Sequence, residues 1–248
     1  MNDIGLLDLG NSRYKWTTRI ALDAGAAALA KHPYAAIDPV AELAARLRQV
    51  PVTRWAIASV KGREFDTGLA AALADLEPVF VRIPTPPALP LAYREPRQFG
   101  IDRYLNLLGT VARYAPPLIV IDAGTAVTFD ALDHNGVHLG GCIFPGLNLL
   151  GASLAQGTRL VQTDPSAVPT LFARSTAAGV NGGTEAGWLE ACHGITRRMT
   201  QALGPEKVSL IWTGGDAARL HLGSDASSQV DSRLLFHGLR ASLESHHA

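Results

Sequence analysis

Two stretches of this chain place an aspartate, a glycine two residues on and a small polar residue directly after it: Asp8-Leu9-Gly10-Asn11-Ser12 and Asp122-Ala123-Gly124-Thr125. Each follows an apolar run and precedes residues rich in β-branched and aromatic side chains, so each reads as a strand, a tight turn and a returning strand. Such a turn has specific chemistry. Glycine lets backbone approach a ligand, successive amides and a hydroxyl can hold phosphate oxygens, and an aspartate at the strand end can hold a hydrated cation. A single Asp-X-Gly is more simply a hairpin turn. A matched pair, with Asp8 and Asp122 lying 114 positions apart in 248 residues, instead suggests two similar half-domains facing each other across a nucleotide.

Three further groups carry chemistry. In the first hairpin, Arg13 and Lys15 crowd polar charge around the turn, and Lys15 can neutralise a phosphate, although a lysine in a strand is more often merely solvated. Gly100-Ile101-Asp102-Arg103 stands where a helix should begin, and by itself Asp102 there reads as an N-cap. Thr213-Gly214-Gly215-Asp216 ends an apolar run before a short helix; a nucleotide-binding turn and a plain strand-to-helix turn weigh about equally.

The elements that must position these residues alternate. A hairpin over 4–20 is followed by a helix opened by Asp38-Pro39 with Val40, Leu43, Ala44 and Leu47 on one face. Then come a strand at 54–60, a helix at 63–76 and a strand at 78–83, which together predict an α/β domain with a largely parallel sheet. Prolines at 84, 86, 87, 90 and 96 mark a long loop, and long loops in compact domains are often functional. The helix after Gly100 should bury Leu105, Leu108 and Ala112, and Pro116-Pro117 closes the first half. The second half repeats the hairpin, turns at Asp133–Gly136, and returns through a strand at 137–143. Gly140, Gly141, Pro145 and Gly146 surround the end of that strand and shape the entry to a helix near 147–156. Residues 157–172 read as loop, 174–203 as a long helix broken at Gly182-Gly183 with Trp188, Leu189 and Ile195 in the core, and 207–212 as a strand.

Composition narrows the function classes. Lys+Arg and Asp+Glu both number 22, so there is no basic footprint for nucleic acid, while 47% hydrophobic residues suffice for two cores. Cys142 and Cys192 form no CxxC and are expected to be buried small hydrophobes in a reducing compartment. The eight histidines show no metal-ligand spacing. No apolar run approaches the roughly 18 residues of a membrane span, and no basic-then-apolar leader opens the chain, so a cytoplasmic protein is expected.

Taken together and in order, Asp8 to Lys15, Tyr93 with Pro96, Gly100 to Arg103, Asp122 to Thr128, Gly140 to Gly146, Ser175-Thr176 and Thr213 to Asp216 resemble the type III pantothenate kinases over almost the whole chain. The resemblance implies the actin, sugar-kinase and heat-shock-chaperone fold: α/β, two duplicated ribonuclease-H-like domains (residues 1–115 and 116–248) with the active site in the cleft between them. It further implies ATP-dependent phosphorylation of pantothenate as the first step of coenzyme A biosynthesis, a homodimer with the substrate site near its interface, Mg²⁺, and a monovalent cation, K⁺ or NH₄⁺.

Carried over by position, Asp8, Leu9, Gly10, Asn11, Ser12, Arg13, Tyr14 and Lys15 are similar to the ATP phosphate loop, with Asp8 near Mg²⁺ and Thr125 as a further ATP contact. Asp122 corresponds to the monovalent-cation ligand. Tyr93, Gly100, Ile101, Asp102 and Arg103 correspond to the pantothenate site, with Asp102 as general base. Thr176 corresponds to a substrate contact across the dimer, with Ser175 and Thr184 as rivals. Thr213 to Asp216 corresponds to the adenosine-side motif. The chemistry agrees: phosphoryl transfer asks a protein mainly to position reactants and neutralise charge, and a hydroxyl nucleophile benefits from a nearby carboxylate. The competing expectation is a regulatory, transcriptional accessory relative with reduced catalysis; another sugar kinase of the superfamily is a weaker rival.

Overall fold

The computed structural model describes residues 3–25, 30–158, 164, 166–204, 207–222 and 228–244. The chain divides into two compact units, Met1–Tyr114 with Arg233–Ala248, and Ala115–Ser232. In the first unit, β1 (Ile4–Leu9) and β2 (Arg13–Thr18) form the first hairpin. They are followed by α1 (Arg19–Asp23), β3 (Ala30–Pro33), α2 (Pro39–Leu47), β4 (Arg54–Ser59), α3 (Arg63–Ala72), β5 (Pro78–Phe80) and α4 (Ile101–Val111). The second unit contains β6 (Leu118–Ala123), β7 (Ala126–Leu132), β8 (His138–Pro145), α5 (Leu147–Gly157), α6 (Thr176–Leu203), β9 (Ser209–Gly214), α7 (Ala217–His221) and β10 (Ser228–Val230). The last helix, α8 (Leu234–Glu244), belongs to the first unit.

The two sheets share one plan. The first runs β3-β2-β1-β4-β5 and the second, from its other edge, β8-β7-β6-β9-β10. In each, the hairpin and its next strand pair antiparallel, whereas the two remaining strands join in parallel. Both sheets are therefore mixed rather than largely parallel: the short β1–β2, β6–β7 and β7–β8 connections permit only antiparallel pairing, and β3 returns antiparallel to β2 after α1.

Strand alternation explains the layering of the first unit. On β1, Leu7 and Leu9 pack with Trp55 and Ile57 of β4 under α2, while Leu6 points to the opposite face with Ala56, Ala58, Leu105 and Phe236. Both faces are covered, so the strand is apolar at nearly every position up to Asp8. Helix α2 starts as expected: Asp38 is its N-cap, the carboxylate accepts from Ala41 N–H at 2.9 Å, and Pro39 occupies the first turn.

Several expectations need correcting. Assigning everything after residue 115 to the second half misplaces α8, which returns to bury Leu235, Phe236 and Leu239 on the first sheet. Helix α4 buries Arg103 through Leu107, Gly109 and Thr110 rather than a single stripe; Leu108 is partly exposed and Ala112 exposed. The cause is its crossing with α8. A Cβ at Gly109 would lie 2.0 Å from the Leu234 carbonyl oxygen, and one at Gly238 would lie 1.9 Å from that of Leu105, so glycines allow the two backbones to touch. Helix α6 is continuous for 28 residues across Gly182-Gly183, since buried Gly182 serves as a close approach to the backbone of Thr170 rather than as a break. Cys142 is exposed on the edge strand β8, while Cys192 is buried as expected. Burial pushes the Cys192 thiol up to about 12. Within the expected loop at 157–172, residues 159–163 and 165 lie outside the described residues.

Candidate functional site

The first turn is short because β1 and β2 leave just Gly10, Asn11 and Ser12 between them. Asp8 pairs with Lys15 in the antiparallel register, which brings Lys15 Nζ to 3.4 Å from its carboxylate while Asp8 itself stays buried. The side chains of Leu9 and Tyr14 are in the core. At these two positions the backbone alone faces the turn, whereas Asn11, Ser12 and Arg13 are exposed. Two residues support the turn from behind. The Tyr34 hydroxyl donates to the Gly10 carbonyl at 2.9 Å, and Lys61 Nζ donates to the Asn11 carbonyl at 3.3 Å.

In the same unit, the sequence Gly100 to Arg103 starts α4. The N-cap is Gly100, not Asp102. Asp102 stands in the first turn, partly exposed, where one carboxylate oxygen accepts from Arg103 N–H at 2.9 Å and the helix dipole favours its charge. Buried Arg103 donates to the Tyr93 hydroxyl at 3.1 Å and stacks over the Phe99 ring at 4.4 Å, and the Tyr93 and Phe99 rings meet edge-on at 4.8 Å. The proline-rich loop is tied to the same helix, because the Tyr104 hydroxyl accepts from Ala88 N–H at 3.0 Å. Burial, outweighing the hydrogen bonds from Ala88 and Leu89, raises the Tyr104 phenol above its ordinary value.

In the second unit three turns converge. Gly146 N–H donates to the Thr125 carbonyl at 3.1 Å, and Asp216 N–H donates to the Ala123 carbonyl at 3.0 Å. A Cβ at Gly146 would sit 2.4 Å from the Gly124 carbonyl oxygen; one at Gly214, whose φ is +94°, would sit 2.5 Å from an Asp122 carboxylate oxygen. Only glycine fits either position. Asp122 is half-buried, level with Thr128 on one neighbouring strand and Thr213 on the other, and the Thr125 side chain is exposed.

A model of the family described as type III pantothenate kinase matches residues 6–198. A type III pantothenate kinase of Halorhodospira halophila is 35% identical over 229 residues, covering 88% of this chain and 89% of that protein. The chain belongs to the type III pantothenate kinase family. A family member from Thermomicrobium roseum is 34% identical over 173 residues, 69% of this chain and 66% of its own length. Among solved structures, a Campylobacter jejuni protein described as a Baf family transcriptional activator superposes with a TM-score of 0.58 at 20% identity, covering 98% of both chains. A 2-dehydro-3-deoxygalactonokinase from Sinorhizobium meliloti gives 0.56 at 13% identity, with 98% and 99% coverage, and an archaeal actin homologue 0.54 at 13%, with 99% and 100%. These likenesses show the actin and sugar-kinase fold. They lend no weight to the regulatory alternative.

Of the positions marked by the type III pantothenate kinase resemblance, the first unit brings Tyr93, Gly100, Ile101, Asp102 and Arg103 onto one helix start, though Ile101 packs into the apolar cluster under α8. The second unit brings Asp122, Thr125 and the Thr213 to Asp216 turn together. Thr176 opens α6 and is exposed; Ser175 caps that helix by accepting from Ala178 N–H at 3.3 Å, and Thr184 Oγ1 is buried. Sequence reasoning missed Tyr34, Lys61 and Phe99. A signal existed for Lys61: once β4 is taken as the parallel neighbour of β1, with Ser59 opposite Leu9, residue 61 must lie beside the turn. A cavity of about 620 Å³ in the first unit, lined by Ser59, Gly62, Asp66, Phe80 and Arg82 among others, contains none of the expected residues. Its carboxylate, Asp66, is already engaged by the Ser59 hydroxyl and, at 2.9 Å, by Arg82.

Proposed function

We propose that this chain transfers the γ-phosphoryl group of ATP to the primary hydroxyl of pantothenate, giving 4′-phosphopantothenate and ADP, with Asp102 as general base. The observation that carries the reading is the start of α4, where a partly exposed carboxylate stands directly before a buried, stacked guanidinium. Asp102 takes the hydroxyl proton as the alkoxide oxygen bonds to the γ-phosphorus and the bond to the ADP oxygen breaks. Arg103, held rigid by Tyr93 and Phe99, offers fixed positive charge to substrate carboxylate or phosphate. The backbone from Asp8 to Lys15 cradles ATP phosphates, Lys15 neutralises them, and Thr125 adds a hydroxyl.

Asp8 suits Mg²⁺, which keeps several waters and takes one or two carboxylates together with phosphate oxygens. Among the described residues there is no group of three metal-ligating side chains, in keeping with a metal held largely by the nucleotide. Asp122 suits K⁺ or NH₄⁺, because its carboxylate lies against turns from which glycine excludes side chains and near the Ala123 carbonyl. When bound, both cations would supply positive charge beside the transferring phosphate.

A homodimer to which Thr176 contributes across the interface is part of the same reading. It is supported by an edge strand, β8, that exposes Leu139 and Ile143, and by Leu149 and Leu154 exposed on α5. A cytoplasmic location is also part of it; among the described residues no helix is long and apolar enough to cross a membrane. The test is phosphate transfer from ATP to pantothenate with Mg²⁺, with and without K⁺ or NH₄⁺, on protein whose dimeric mass has been confirmed. Product formation is expected; a folded dimer that forms none under these conditions would overturn the reading and favour a regulatory role.

A further inference from the structure

The Gly10 to Ser12 turn is held from behind by two side chains that come from outside the hairpin. Tyr34, just after β3, donates its hydroxyl to the Gly10 carbonyl at 2.9 Å. Lys61, two residues beyond β4, donates Nζ to the Asn11 carbonyl at 3.3 Å. The two supports also hold each other: Lys61 Nζ lies 4.3 Å from the centre of the Tyr34 ring and 5.5 Å from that of Phe65, and the Tyr34 and Phe65 rings meet edge-on at 5.7 Å. The Lys61 main chain is fixed in turn, since its N–H donates to the Ser59 hydroxyl at 3.2 Å and that hydroxyl donates to buried Asp66.

Peptide planarity converts this support into direction. The Gly10 carbonyl and the Asn11 N–H belong to one trans peptide and point opposite ways, as do the Asn11 carbonyl and the Ser12 N–H. Pinning both carbonyls toward Tyr34 and Lys61 therefore aims both N–H groups toward the other side of the turn, where an anion would be received. We propose that Lys61, with Tyr34, is a positioning residue for nucleotide binding, which orients the amides of Asn11 and Ser12 toward the ATP phosphates and adds one positive charge behind them. Burial, and secondarily the charge of Asp8, holds the Tyr34 phenol well above its ordinary value, so its hydroxyl stays a donor throughout the physiological range. This inference rests on the assignment of the first turn as a phosphate loop.

The experiment compares the full-length protein with Lys61→Met, which keeps the stem and removes the charge, with Lys61→Arg, and with Tyr34→Phe, which keeps the ring and removes the donor. Calorimetric Kd for Mg-ATP without pantothenate and steady-state KM for both substrates are measured on each. Lys61→Met is expected to weaken ATP, in Kd and KM, roughly 10–150-fold, the range for losing a charge-assisted hydrogen bond. The KM for pantothenate and the melting temperature should stay near wild type, Lys61→Arg should recover most of the loss, and Tyr34→Phe should weaken ATP by a smaller factor in the same direction. Equal ATP affinity in Lys61→Met and wild type, or parallel rises in both KM values, would overturn the proposal. Because the binding measurement needs no pantothenate, the two readings fail separately. A wild-type chain that binds ATP but phosphorylates no pantothenate, and loses ATP affinity on Lys61→Met, sinks the kinase assignment and keeps the brace; a wild-type chain that binds no nucleotide sinks both. If Lys61→Met does not fold, Tyr34→Phe decides.

Discussion

The two Asp-X-Gly hairpins occupy the same place in sheets of the same plan, yet they are supported by different means. The first turn is three residues long, and its carbonyls are held by side chains reaching in from Tyr34 and Lys61. The second is two residues long and is held by backbone: Gly146 N–H on Thr125, Asp216 N–H on Ala123, and glycines at 146 and 214 where no side chain fits. Their aspartates differ accordingly. Asp8 is buried and faces Lys15 at 3.4 Å; Asp122 is half-buried between Thr128 and Thr213. A side-chain brace adds charge and can be changed one residue at a time, whereas a backbone brace fixes geometry and fails when any atom is added. The duplicated fold thus supplies two Asp-X-Gly turns of different length, and local residues decide that one is braced by side chains, a lysine among them, and the other by backbone and glycine.

The largest expected effect lies in the first unit. Asp102→Asn keeps the size and the helix start but cannot take a proton, so kcat should fall on the order of 10²–10⁴-fold while the melting temperature hardly moves. Because Gly100, not Asp102, is the N-cap, a loss of stability is not expected either way, and near wild-type kcat would refute the base assignment.

Next comes the backbone brace of the second unit. Gly214→Ala must accept φ near +94° and a Cβ 2.4 Å from the Ala123 carbonyl oxygen, which should cost about 2–4 kcal/mol in denaturant unfolding. A cost under about 0.5 kcal/mol would show that this turn tolerates a side chain and that the backbone brace is not what fixes it.

Asp122→Asn should be smaller in activity than Asp102→Asn, on the order of 10–10²-fold, and should abolish any difference between K⁺ and Na⁺ buffers. A variant that still responds to K⁺ would move the cation away from the second turn.

The smallest effect concerns the two thiols of the second unit. With Cys192 buried and pushed up to about 12, and Cys142 exposed, a thiol reagent near pH 8 should modify Cys142 and spare Cys192 in the folded chain. Raised in the folded state, the Cys192 thiol contributes stability that is complete below its ordinary value of 9.0 and is lost as pH rises toward 12. Cys142→Ser should change stability by less than about 0.5 kcal/mol, and labelling of both cysteines without unfolding would contradict the burial of Cys192.

How much was legible beforehand follows the range of the forces involved. Hairpins were readable over 4–20, two residues past the observed end of β2, and 118–132 because apolar alternation and turn residues act between neighbours in sequence, and Asp38-Pro39 marked its helix for the same reason. The order of motifs from Asp8 to Asp216 was enough to name the family. What lay outside the sequence depends on contacts between distant residues. The return of α8 to the first sheet, the glycine crossing at Gly109 and Gly238, the continuity of α6 past Gly182 and the exposure of Cys142 each depend on which backbone lies within a few ångströms. The same holds for function. Residue types in their turns marked Asp8 and Asp122 as chemically capable, whereas Asp102 by itself read as a helix cap and took its role, with Arg103, from the family resemblance. That Tyr34 and Lys61, 24 and 50 positions from the carbonyls they hold, support the first turn was decided by tertiary structure, because hydrogen bonds act over about 3 Å and only the pairing of β1 with β4 and of β2 with β3 brings these residues within that distance.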